Sequence, residues 1–237
     1  MNKIKIKFVY CMGFKLGKNK VEKIIYEYFP ENKNELKEII KDRLREDKNA
    51  DLNDINVSKI DDMEHLFSNL DPHNIDISEW NVSKVKNMSF MFRYCNNFNC
   101  DLSNWDVSNV EDMYKMFSTC ENFDGNGLEN WDVSKVKDMS YMFYYCKKFN
   151  TDLSKWNVSK VQYMQSMFAN CKRFRGKGLE NWNVSKVQYM DGMFSDCNAF
   201  VTDLNNWNVL DNASVDDMFN GCRRKFIPSW YQIEYTN

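Results

Sequence analysis

Eight cysteines, two histidines and a recurrent set of aspartates are the residues of this 237-residue chain that could carry chemistry. Six cysteines recur at a near-fixed step, at Cys95, Cys120, Cys146, Cys171, Cys197 and Cys222. Zinc sites use ligands a few residues apart, and the chain has no C-x-x-C pair. A disulfide needs Cα atoms within about 7 Å. If these cysteines lie on packed helices about 8–10 Å apart, they are expected to be buried, reduced thiols. Cys11 and Cys100 stand outside the series and receive no role. A Ser-His-Asp arrangement would have to use His65 or His73, and the aspartates recur unit by unit, which reads as structural. The expectation is a non-enzymatic chain without metal, cofactor or small-molecule substrate.

The elements that must position these residues are repeats. Trp80, Trp105, Trp131, Trp156, Trp182 and Trp207 step by 25, 26, 25, 26 and 25 residues. Phe92, Phe117, Phe143, Phe168, Phe194 and Phe219 keep the same register as the tryptophans and cysteines. A period of 20–50 residues signals units that bury their apolar faces against one another.

Within the unit that begins at Trp105, apolar residues follow Val110 at +3, +6, +7 and +10, the spacing of one helix face. Ser108 stands at an N-cap position with Glu111 three residues later, and Ser83, Ser134, Ser159 and Ser185 are equivalent. Trp105 and Val107 flank polar Asp106, a period of two that fits a very short strand. Returns alternate between Asp-Leu-Ser types, such as Asp101–Ser103, and Gly-x-Gly-Leu-Glu-Asn types at 125–130 and 176–181. The glycines supply left-handed backbone for the additional residue.

The predicted fold class is an α/β repeat solenoid, a right-handed coil of leucine-rich-repeat kind with short parallel strands on one face and short helices on the other, capped at both ends. Its organisation is read as an N-terminal strand/helix cap over 1–50, about seven 25/26-residue coils over 51–222, and a C-terminal cap over 223–237. In the first cap, Ile4, Ile6 and Phe8 alternate as a strand and a helix is placed near Val21 to Phe29. A second helix carries Leu36, Ile39, Ile40 and Leu44 inward, with Asn32 and Glu35 as its capping box.

Two surfaces are candidates for partner binding. One is a polar ladder between the Trp and Val positions: Asn81, Asp106, Asp132, Asn157, Asn183 and Asn208. The other carries aromatics at positions that vary between units, namely Tyr94, Tyr114, Tyr144, Tyr145, Tyr163 and Tyr189, accompanied by Phe90 and Tyr141. The methionines at helical spacing read as core.

Charge is +5 over residues 1–50 and −7 over the remainder. The acidic coils argue against a nucleic-acid partner. No apolar run nears the ~20 residues that span a bilayer, and MNKIKIK with its short apolar sequel reads as a strand rather than a leader. A cytoplasmic or host-intracellular location is therefore expected ahead of the cell surface.

The unit W-[DN]-V-S-x-V-x-x-M-x-x-M-F-x-x-C-x-x-F, with the lead-in from Glu35 to Leu44, resembles the BspA-like leucine-rich-repeat family of mycoplasma-type lipoproteins and bacterial surface proteins. The resemblance implies a leucine-rich-repeat-like solenoid and host interaction or adhesion. Together these readings predict a protein–protein interaction scaffold, with a surface adhesin or an inhibitor of one partner enzyme as alternatives.

Overall fold

The computed structural model describes residues 12–16 and 21–231. An antiparallel hairpin, β1 (Met12–Leu16) and β2 (Val21–Ile25), comes first and pairs Met12 with Ile25 through to Leu16 with Val21. The helix expected near Val21 to Phe29 is thus a strand over its first five residues; Val21, Ile24 and Ile25 are β-branched and pair across the hairpin. The strand placed on Ile4, Ile6 and Phe8 lies outside the described residues, as does Cys11.

The helix α1 (Lys33–Glu46) forms where its signals stand. The Asn32 side chain accepts from the Asn34 and Glu35 amides at 3.0 and 3.1 Å, and Glu35 in return accepts from the Glu31 amide at 2.9 Å. Leu36, Ile39, Ile40 and Leu44 are buried. Arg43 bonds Asp54 at 2.6 Å, and the Lys37 ammonium donates to the His65 carbonyl at 2.8 Å, so α1 covers the first repeat unit.

Successive units then join through a row of parallel bridges: Asp62 to Asn87, Asn87 to Asp112, Asp112 to Asp138, Asp138 to Tyr163, Tyr163 to Tyr189, and Tyr189 to Ser214. We number the seven units coils 1 to 7 by these residues. The pairing lies beyond the Val position, not at the Trp-x-Val segment where the strands were expected.

The short helices expected after the Val position are absent from the described coils, where four-residue turns take their place; the short 3-10 helix Leu179–Asn181 lies instead in a return. In coil 3 the amides of Trp105, Val110, Met116, Cys120 and Phe123 each bond a carbonyl three residues back, at Leu102, Val107, Met113, Phe117 and Cys120. Every residue in that set is buried. The apolar spacing that resembles a helix face is the spacing of turn corners, which point inward while the residues between them, buried Ser118 excepted, face out.

Two residues per coil complete this geometry. His65, Phe90, Lys115, Tyr141, Ser166, Gly192 and Asp217 have φ between 49° and 59°, and Asn69, Tyr94, Thr119, Tyr145, Asn170, Asp196 and Gly221 between 58° and 72°. A positive φ at the third residue defines a type II turn. For most L residues it costs roughly 1–2 kcal/mol. The compensation is visible: the rotated amide leaves its own coil and donates to the next, Phe90 to Tyr114, Lys115 to Ser140 and Thr119 to Tyr144, at 2.8, 2.9 and 2.7 Å.

Inside, the Phe rings stack in column at centroid spacings of 5.1 to 5.8 Å from Phe67 to Phe219. Each indole donates to a leucine or isoleucine carbonyl one coil back; Trp131 reaches Leu102 at 3.2 Å. At the end Trp230 takes the same part, bonding Leu204 at 2.8 Å. The return glycines have the expected left-handed backbone: Gly127 sits at φ 88°, and a Cβ there would come within 2.3 Å of the Ser103 amide nitrogen.

Candidate functional site

The cysteine series is structural in its bonding. Each thiol donates to a phenylalanine carbonyl of the preceding coil, as Cys120 does to Phe92 and Cys146 to Phe117, both at 3.0 Å. Backbone-bonded coils replace the wider helix spacing from which the thiol state was argued. Burial pushes Cys95, Cys120, Cys146, Cys171 and Cys197 far above the usual thiol range, and Cys100 and Cys222 up to about 11, so none is a ready nucleophile. Among the described residues no three His, Cys, Asp or Glu side chains form a group that could hold a metal.

The polar ladder is exposed as expected, yet five of its members each have a side-chain oxygen occupied. The side-chain oxygens of Asn81, Asp106, Asp132, Asn157 and Asn183 take the amides of Ser83, Ser108, Ser134, Ser159 and Ser185 at 3.0 to 3.2 Å. These are Asx turns, the local bond that lets Asn and Asp start a reversal. The serines are the amide donors of those turns rather than helix caps, and Glu111, read as part of a capping box, instead pairs with Lys137 at 2.6 Å. Asn208 is exposed where Leu210 replaces the serine.

The tyrosines divide into two groups. The larger is a strip across the turn face of coils 1 to 4. His65 stacks on Phe90 at 4.3 Å, and Phe90 meets Tyr114 edge-on at 5.0 Å. Tyr114 meets Tyr141 at 6.1 Å, Tyr141 meets Tyr144 at 5.8 Å, and Tyr144 meets Tyr145 at 4.9 Å. Tyr94 stands beside the strip with 42% of its surface exposed. Partial burial, with Tyr145, Tyr141 and Tyr94 nearby, raises the Tyr144 hydroxyl above the usual tyrosine value, so it is a neutral donor at pH 7. The smaller group is Tyr163 and Tyr189, parallel at 5.6 Å, in the bridge column that Asp62, Asn87, Asp112 and Asp138 fill earlier.

Two cations that the aromatic pattern alone did not pick out belong to the strip. The Lys115 ammonium lies 4.8 Å from the Tyr114 ring centre and 4.7 Å from that of Tyr141. The Arg93 guanidinium lies 4.4 Å from the Tyr94 ring centre and donates to its hydroxyl at 2.9 Å. Neither has a carboxylate within 4.0 Å among the described residues. Their signal was columnar: Lys115 shares its column with His65, Phe90 and Tyr141. Burial lowers the His65 pKa, with Lys37, Arg93 and Lys33 adding to the effect and Glu64 opposing it, which keeps the imidazole neutral against Phe90.

With this repeat geometry in hand, comparison with known families gives two successive matches, over residues 34–127 and 120–230, to the family described as Mycoplasma protein of unknown function, DUF285. The chain belongs to that family. The two DUF285 matches overlap over 120–127 within one row of coils, so the chain is a repeat protein. No curated protein matches it, and no solved structure matches it. No helix among the described residues is long and apolar enough to cross a membrane.

Proposed function

We propose that this DUF285 chain is a leucine-rich-repeat-type solenoid of BspA-like kind, right-handed and turn-built, and that it acts without catalysis by docking a protein on the aromatic strip of coils 1 to 4. The observation that carries this reading is the strip itself: linked rings from His65 to Tyr145 with Arg93 and Lys115 held over ring faces and unpaired with carboxylate. Tyrosine and arginine dominate the energetic centres of protein interfaces, because they bring large, stiff area with a polar end. Rings already packed on one another lose little freedom when a partner arrives. Supporting this division of labour, the polar ladder uses its oxygens to shape the coil.

The test is capture from lysate of the source cell and of any host by the intact chain, beside a Tyr114→Ser/Tyr144→Ser variant. The variant is expected to lose the main captured protein while retaining its melt. Equal capture by both would sink the assignment of the surface.

A further inference from the structure

A different face carries a second binding surface. On the Trp-side edge of the coils, Lys135, Lys160 and Lys186 occupy the same column of coils 4, 5 and 6 and are exposed. Three residues beyond them stand the bridged residues Asp138, Tyr163 and Tyr189. Two residues beyond Lys160 and Lys186, the Gln188 amide bonds the Gln162 carbonyl at 2.9 Å. The lysines therefore sit in register on coils at strand spacing, about 4.8 Å apart.

Like charges directly opposite one another destabilise paired strands. Other lysines of the coils are matched by a carboxylate: Lys137 faces Glu111 at 2.6 Å, Lys147 faces Glu121 at 2.8 Å, and Lys177 faces Asp152 at 2.7 Å, each one coil away. Lys135 finds only the neutral Asn109 oxygen, at 2.5 Å, and neither Lys160 nor Lys186 has a carboxylate within 4.0 Å among the described residues. Beside them, the exposed Asn157 and Asn183 spend their oxygens on Ser159 and Ser185, and their amide NH2 groups have no hydrogen-bond partner among the described residues. The result is a strip that offers ammonium and amide donors, with Asp132 as the ladder carboxylate near Lys135 and Lys160.

We propose that this lysine–asparagine strip binds an acidic polysaccharide lying along the coil axis. Its sulfates or carboxylates would meet the lysines, and its hydroxyl and ring oxygens would accept from the asparagine amides. Single-stranded nucleic acid binding draws on a succession of stacking faces, whereas here one ring pair, Tyr163 and Tyr189, stands three residues beyond the lysines. An acidic polypeptide would use the lysines but leave the amides without the dense hydroxyls of a sugar chain.

Heparin serves as the probe, with polyglutamate and an oligo-dT strand as the other polyanions. The intact chain is expected to bind heparin saturably at about 0.15 M salt, more tightly than either alternative. Lys160→Gln/Lys186→Gln should weaken heparin about tenfold and lower the slope of log affinity against log salt by about two. Its melt should equal or exceed that of the parent, since like charges are removed, and Lys160→Arg/Lys186→Arg should retain binding. A matched loss of charge on the return loops, Lys148→Gln/Arg173→Gln, should change affinity less than about twofold. No saturable heparin binding, equal loss in the return-loop variant, or binding of polyglutamate or oligo-dT as tight as heparin would each overturn the proposal.

Discussion

The interior of the coils and their turn face share one backbone yet follow opposite rules. Inside, each column repeats one residue type: Trp, Phe, Cys and Val recur at the same place with nearly complete burial. Outside, the column with φ near 55° holds His65, Phe90, Lys115, Tyr141, Ser166, Gly192 and Asp217. The backbone at those positions is set by the amide bond to the next coil, so the side chain is free to vary. This teaches where specificity can live. A fold held by ladders of identical corners leaves its outward residues to be chosen for a partner, and coils 1 to 4 choose rings and cations while coil 7 has Asp216 and Asp217.

The interior half of that comparison is tested most strongly at Trp131. Its ring is 3% exposed and lies parallel to Trp105 at 6.4 Å. Trp131→Ala opens a core cavity and leaves the Leu102 carbonyl without its indole donor, for an expected loss of about 3–5 kcal/mol in a denaturant melt. A loss under about 1 kcal/mol would mean the coils close over the gap and the ladder is not what holds them. Asn157→Ala is the exposed counterpart. It removes only the Asx bond to Ser159, and a loss of about 0.5–1 kcal/mol is expected. No loss at all would make the polar ladder a surface feature free of any shaping role.

What was legible in the sequence follows the same division. The columns of Trp, Phe and Cys were readable because burial demands the same residue at each turn of the period. Asn32, Glu35 and Leu36 to Leu44 announced α1 because a helix end and an apolar face are local signals. The coil helices were misread because Met113, Met116, Phe117 and Cys120 satisfy a helix face and a chain of four-residue turns equally well. The deciding bonds run to the next coil, about 25 residues away, and no local window contains them. Likewise the aromatic residues could be singled out one by one, but their union with Arg93 and Lys115 depends on which columns adjoin.

Thr119 sharpens the comparison from the turn face. A β-branched residue at φ 64° is out of place, and the same column holds Asn69 and Asn170, whose side chains tolerate the left-handed region. Thr119→Asn should therefore raise stability by about 0.5–1 kcal/mol, while the amide bond to Tyr144 is kept. A drop instead would show that the threonine methyl packs in a way that outweighs its backbone strain.

The smallest effect concerns Asp112, in the bridge column between Asn87 and Asp138. Its oxygen accepts from the Tyr114 amide at 2.8 Å. Burial raises its pKa above the ordinary carboxylate value, Asp138 and Glu64 adding to the rise and the Tyr114 bond opposing it. A carboxyl whose folded pKa is raised penalises the fold while it is charged. The penalty is in force above the folded pKa and is gone below the unfolded value of about 3.9. Asp112→Asn keeps the acceptor for Tyr114, removes the charge and matches the residue already present in coil 2. The variant should melt higher than the parent at pH 7, and its advantage should shrink as pH falls through the Asp112 titration. If it melts lower at pH 7, the carboxylate charge contributes more to the fold than its burial costs.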